Sequence, residues 1–144
     1  MLSNELNIVN GMVRPKGQRR EISFQGLQIV IENEKGSIRY WERDGEQGEA
    51  KMFYPYGFIK NTLGKDGEEV DCFVGNDKFS PFAYIIYPAK TKGFDIKEEK
   101  MMLGFSSKDA ARDAFMAHYN NQKFLGDIVE LPMHLFKESL EWRE

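Results

Sequence analysis

The sequence predicts an α+β fold: a small barrel of short strands, followed by two flanking helices toward the C-terminus. Three observations carry this reading. Short runs rich in β-branched and aromatic residues, broken by Gly and Pro, fill the first two thirds of the chain. Helical periodicity appears only late. The length, 144 residues with 41% hydrophobic and 13% aromatic side chains, suits one domain with a real core. Strands first and helices afterwards is the α+β order.

Taken in chain order, residues 1–20 read as a flexible basic arm, because Arg14-Pro15-Lys16-Gly17-Gln18-Arg19-Arg20 is charged and broken by Pro and Gly. Ile22 to Phe24 and Leu27 to Ile31 are strands separated by a tight Gln25-Gly26 turn, and Ser37 to Trp41 is a third. The polar stretch from Arg43 to Glu49 reads as a loop. Met52 to Ile59 is aromatic-rich, interrupted by Pro55 and Gly57. Val70 to Val74, Phe82 to Tyr87 and Met101 to Phe105 are further strands. Ser106 or Ser107 caps a helix from about Lys108 to Tyr119, with Ala111, Ala114, Phe115 and His118 on one face. Asp127 to Leu131 is a last strand. Pro132 opens a short helix reaching Trp142, with Leu135, Phe136 and Leu140 inward.

Composition excludes several functions. Lys+Arg (20) and Asp+Glu (23) nearly cancel to a net charge of -3, so no specific nucleic-acid role is expected. No apolar run is long enough to span a bilayer, and the first residues lack the features of a secretory signal, so the expected location is the cytoplasm. The one cysteine, Cys72, reads as a small apolar strand residue, so Cys-based metal motifs are excluded, and with only His118 and His134 a His-rich metal site is not expected. Any bound metal must be held mainly by oxygen, which suits Mg²⁺.

The acids fall into two groups. Asp66-Gly67-Glu68-Glu69-Val70-Asp71 reads as a turn entering a strand, and Asp71 lies among strand residues, where a carboxylate must be solvated, paired or bound to a metal. Asp95-Ile96-Lys97-Glu98-Glu99-Lys100 precedes the next apolar strand. Both groups sit at the mouths of strands and could converge on one cation cluster; the competing reading of each is a turn or loop with its charges in water.

The run Met52-Phe53-Tyr54-Pro55-Tyr56-Gly57-Phe58-Ile59-Lys60-Asn61-Thr62-Leu63, followed by Asp66-Gly67-Glu68-Glu69-Val70-Asp71, resembles the signature of soluble (family I) inorganic pyrophosphatases. There the order is Tyr-Gly-Tyr/Phe-Ile, Thr-Leu, then Asp-Gly-Asp-Pro-Val-Asp. Ile29 to Asn33 and Ile38-Arg39-Tyr40 look like the family's opening strands, and His118-Tyr119 like its late Tyr. The likeness runs from about residue 21 to the C-terminus and is nearest to compact phage-type domains.

The resemblance implies a five-stranded OB-like barrel in residues 21–144 and hydrolysis of pyrophosphate with several Mg²⁺, Mn²⁺ being an acceptable substitute. It implies Asp66, Asp71, Asp95 and Glu98 as direct metal ligands, Glu32 as an outer ligand, and Glu68 as the acid that deprotonates the attacking water. Arg39, Tyr56, Lys100 and Tyr119 would bind phosphate oxygens. Three departures stand out: Glu68 replaces the usual Asp, Glu69 the usual Pro, and Asn120 the usual Lys. A loop Arg expected before Met52 is absent, with Lys51 or Arg43 as its stand-in. The resemblance allows a homo-oligomer. Two other readings stand beside it: a hydrolase of another phosphoanhydride such as a nucleotide, and a non-catalytic domain that keeps the fold.

Overall fold

The computed structural model describes residues 6–9, 12–15, 19–43, 46–88, 99–119 and 125–143. In chain order the elements are β1 (Leu6–Val9), β2 (Met12–Pro15), β3 (Glu21–Phe24), β4 (Leu27–Asn33), β5 (Ile38–Arg43), β6 (Glu46–Lys51), β7 (Tyr56–Ile59), β8 (Thr62–Leu63), β9 (Val70–Val74), β10 (Phe82–Pro88), β11 (Lys100–Leu103), α1 (Lys108–His118), β12 (Leu125–Pro132), α2 (Met133–Ser139) and β13 (Glu141–Trp142). The mixed α+β class is therefore as expected.

Seven strands form the main sheet in the order β12-β10-β11-β9-β7-β4-β3. All neighbours are antiparallel except β9 and β11, which run parallel with Cys72 opposite Met101. The β3–β4 turn is as the sequence suggested: Gln25 (φ 47°) and Gly26 (φ 88°) both take left-handed conformations, the geometry that suits a two-residue hairpin.

Strand alternation sorts the core into two clusters, one on each face. Val70, Cys72 and Val74 of β9, Met101 and Leu103 of β11, and Ala83 and Ile85 of β10 pack with Ile29, Ile31 and Ile59 under Met133, Phe136 and Leu140 from the α2 region. Phe73, Met102, Tyr84 and Ile86 pack on the opposite side with Ala111, Ala114 and Phe115 of α1. The first face is concave. Gln25, in the β3–β4 turn, donates through Nε2 to the carbonyls of Lys78 (3.1 Å) and Ser80 (2.9 Å), just before β10. β4 and β10 are four strand steps apart, about 19 Å in a flat sheet, so the sheet must curl to bring them together. Among the described residues no ladder pairs β3 with β12. The observed architecture is thus a curled seven-stranded sheet, where the expectation was a small five-stranded OB-like barrel; among the described residues no closed barrel is found.

Helix α1 begins where expected, with Ser107 Oγ accepting from the Ala110 N–H at 3.0 Å. Four local expectations are corrected. Within the stretch read as a loop, Arg43 and residues 46–49 pair in β5 and β6, where Arg39 faces Ala50 and Glu42 faces Gln47; cross-strand pairing outweighs their polar composition. The basic arm contains a β1–β2 hairpin, and its end is pinned, because Arg20 makes a two-pronged contact with the buried Glu34 carboxylate at 2.8 and 3.1 Å. Helix α2 stops at Ser139, since the chain turns extended at Leu140 to pair β13 with β8. Leu135 is 43% exposed, and Met133 takes the inward place expected for it.

Candidate active site

The two-residue period that builds the core also builds the site. On β9, Asp71 points to the same face as Phe73. On β11, Lys100 shares the face of Met102, and Tyr56 at the start of β7 belongs to that same cluster. Three polar groups thus meet on the α1 side of the sheet. Lys100 Nζ donates to the Tyr56 hydroxyl at 2.6 Å, and that hydroxyl donates to Asp71 Oδ2 at 2.9 Å. Lys100 Nζ also lies 3.2 Å from Asp71 Oδ2. From β5, the Arg39 guanidinium stacks over the Tyr56 ring at 4.7 Å from its centroid.

Burial raises the pKa of Tyr56, and Asp71 adds to the effect, outweighing the opposite pull of Lys100 and Arg39. Tyr56 is therefore a neutral donor. Burial works against the Lys100 charge, yet Tyr56, Tyr119 and Asp71 hold its pKa above the ordinary lysine value. Arg39 is likewise held charged against burial. The result is a pair of fixed cations on one wall, anchored through a neutral phenol to one carboxylate.

Gly57 makes this wall possible. A Cβ there would lie 1.8 Å from the Val30 carbonyl oxygen, so only glycine lets β7 approach β4 this closely. The opposite wall is the turn between β8 and β9. Thr62 is fully buried; its hydroxyl donates to the Ile59 carbonyl at 2.6 Å and accepts from the Val70 N–H at 3.0 Å, which ties the two ends of the turn together. Inside it, Asp66 Oδ1 accepts from the Glu68 N–H at 3.0 Å, and Gly64 N–H donates to the Glu68 carbonyl at 2.6 Å. Beyond β13, Arg143 Nη2 donates to the Gly67 carbonyl at 2.8 Å.

Between these walls lies a cleft of about 220 Å³, lined by Arg39, Gly64, Lys65, Asp66, Glu69, Val70, Asp71, Glu99, Lys100 and Met101. Of the expected site residues, Asp66, Asp71, Arg39 and Lys100 come together here, with Tyr56 directly behind them. Tyr119 follows α1, half-buried, with its ring 4.7 Å from the Phe115 ring. Glu32 is half-buried near Arg19 (3.6 Å); burial raises its pKa, with Asp71 and Glu69 adding to the rise. Glu68 is exposed and outside the cleft lining, whereas its neighbour Glu69 is on the wall. Lys51 is exposed and does not line the cleft either. The Arg43 side chain, Asp95, Glu98 and Asn120 lie outside the described residues.

Three charged lining residues, Glu69, Lys65 and Glu99, were not anticipated. Glu99 is largely buried, its side chain 10% exposed, and Lys65 Nζ lies 2.7 Å from its Oε1. The carboxylate raises the Lys65 pKa. The Lys65 ammonium also lies 5.9 Å from the centre of the Tyr87 ring. Among the acids at 95, 98 and 99 the sequence gave no means of choosing Glu99.

The donor chemistry fits a hard divalent cation: four carboxylates line one cleft, and Glu99 Oε1 is sealed from solvent without an aligned hydrogen bond. Among the described residues no three such ligands converge tightly enough to enclose an ion by themselves. No described helix is long and apolar enough to cross a membrane.

Fold and site together define an α+β protein whose cleft pairs carboxylates with fixed cations, an arrangement suited to a polyanion and a divalent ion. Comparison with known proteins narrows this class. The family model described as Inorganic Pyrophosphatase matches residues 14–141, and the chain belongs to that family. An inorganic pyrophosphatase of Mycoplasma genitalium is 29% identical over 130 residues, covering 79% of this chain and 64% of the relative. One from Campylobacter jejuni is 29% identical over 125 residues, covering 80% of this chain and 72% of the relative. One from Leifsonia xyli is 29% identical over 124 residues, covering 76% and 70%. The chain thus spans about two thirds of the length of these relatives. No solved structure matches it significantly.

Proposed function

We propose that this protein hydrolyses inorganic pyrophosphate to two phosphates in a Mg²⁺-dependent reaction. The observation that carries the reading is the Lys100–Tyr56–Asp71 chain on the wall of a carboxylate-lined cleft, in a member of the pyrophosphatase family. Mg²⁺, or Mn²⁺ in its place, would be held by Asp66 and Asp71 with Asp95 and Glu98, backed by Glu32, and would supply charge neutralisation and an acidified water.

The chain's own groups do the rest. Arg39 and Lys100 bind phosphate oxygens, and their fixed positions mean that little reorganisation accompanies charge development on the leaving phosphate. Tyr56 orients Lys100 and Asp71 by bonding to both. Tyr119 closes the phosphate side. Glu68 accepts the proton of the attacking water from the rim of the turn, and the added methylene relative to Asp changes its reach.

The strands β4-β7-β9-β11-β10 are read as the counterpart of the family's OB-like barrel. The curl reported by Gln25 and the single concave cluster support that assignment. Residues 21–144 are read as the catalytic domain, and the cytoplasm, where polymerisation releases pyrophosphate, as its location.

The test is phosphate release from pyrophosphate with and without Mg²⁺, using Asp71→Asn as control. Wild-type release should depend on Mg²⁺ and fall at least about a hundredfold in the variant. Wild-type release no greater than that of the variant would overturn the proposal.

A further inference from the structure

We infer that Lys65 is a resident counter-ion for Glu99, occupying the place of a divalent cation and giving way when that ion enters. The inference builds on the metal-dependent reading above.

Three observations support it. First, Glu99 Oε1 is sealed from solvent without an aligned hydrogen bond, and a buried carboxylate oxygen in that state needs a cation beside it. The ammonium of Lys65, 2.7 Å away, is that cation. Secondly, the two side chains are unequal: Glu99 is 10% exposed and Lys65 67%. The acid is built into the wall, while its partner is a flexible stem reaching in from water, free to withdraw without disturbing the core. Thirdly, the other lining cations have fixed duties, since Lys100 is bonded to Tyr56 and Arg39 is stacked upon it. Only Lys65 among them can leave at little cost. Its position directly before Asp66 puts its charge on the same wall as that acid.

An ammonium and a divalent ion cannot both sit against one sealed oxygen, so Lys65 competes with the metal for Glu99. Removing the charge should therefore tighten metal binding, whereas removing an ordinary cleft residue would weaken it or change nothing.

The experiment is calorimetric titration of the purified chain with Mg²⁺ alone, in the absence of pyrophosphate. Lys65→Gln should bind Mg²⁺ about tenfold more tightly than wild type, and Lys65→Arg should bind it like wild type. Glu99→Gln should weaken binding, and adding Lys65→Gln to it should bring no further gain. Unchanged or weaker binding by Lys65→Gln, or an equal gain in the Glu99→Gln background, would overturn the inference. Because no substrate is present, failure here is distinct from failure of the hydrolysis assay. A wild type that hydrolyses pyrophosphate while Lys65→Gln leaves Mg²⁺ affinity unchanged rejects only the counter-ion. The reverse pattern rejects only the proposed reaction.

Discussion

The two walls of the cleft are held by different means. Tyr56, Asp71 and Lys100 stand on three adjacent strands and bond to one another side chain to side chain. Asp66, Glu68 and Glu69 stand on a turn whose shape comes from backbone contacts: Gly64 with Glu68, Asp66 with the Glu68 N–H, and Arg143 with the Gly67 carbonyl. On the strand wall Tyr56 is buried and Asp71 and Lys100 are half-buried, whereas the turn is mostly exposed. A wall whose groups fix one another suits charges that must stay put. A turn held at its hinges can adjust as ions come and go.

The sharpest way to break this contrast is Tyr56→Phe, which removes the hydroxyl joining both partners on the strand wall. We expect kcat/KM for pyrophosphate to fall about a hundredfold and stability to fall by about 1–3 kcal/mol, measured by steady-state kinetics and urea denaturation. Retained activity would mean that the cations need no phenol to hold them.

A smaller effect is expected from Arg143→Ala. This guanidinium lies past residue 141, where the match to the family model ends, yet it braces the turn. Its loss should raise the Mg²⁺ concentration needed for half-maximal activity by about threefold, with a stability change of about 0.5–1.5 kcal/mol. An unchanged Mg²⁺ requirement would show that the turn holds its shape unaided.

The smallest effect concerns Glu32, where the sign depends on pH. Its carboxyl is raised above its ordinary value, mainly by burial. The folded state therefore binds this proton more tightly than the unfolded state. That contribution is fully present below the unfolded value and is lost as pH rises through the folded one. At neutral pH the ionised group is a burden, so Glu32→Gln should be more stable than wild type by about 0.5 kcal/mol. The advantage should vanish in acid, as thermal melts at pH 7 and pH 4 would reveal.

The strand wall was the more legible of the two in the sequence. Val70 to Val74 and Met101 to Phe105 declare themselves by β-branched and apolar content, and alternation then puts Asp71 and Lys100 on one face. Gly57 was visible in the motif, and its reason, the 1.8 Å approach to Val30, appears only when two strands meet. The turn was harder to read. Glu68 and Glu69 are chemically alike, and only the chain's path puts Glu69 on the cleft wall. Glu99 was passed over because it precedes β11, outside the alternation that orders Lys100 and Met102. β8 and β13, two residues each, are set by each other rather than by composition, so no local signal marks them. β6 was missed for the same reason: it is polar and owes its form to pairing with β5, which was expected from Ser37 to Trp41.

The parallel pairing of β9 with β11 has a consequence for how the protein comes into being. Asp71 and Lys100 are neighbours in space but 29 residues apart in the chain, and β10 lies between them in sequence. No short fragment contains both halves of the strand wall, and no hairpin can assemble it early. A nascent or partly unfolded chain therefore lacks the assembled strand wall, and on the proposed function phosphate release would serve as a readout of a completed sheet.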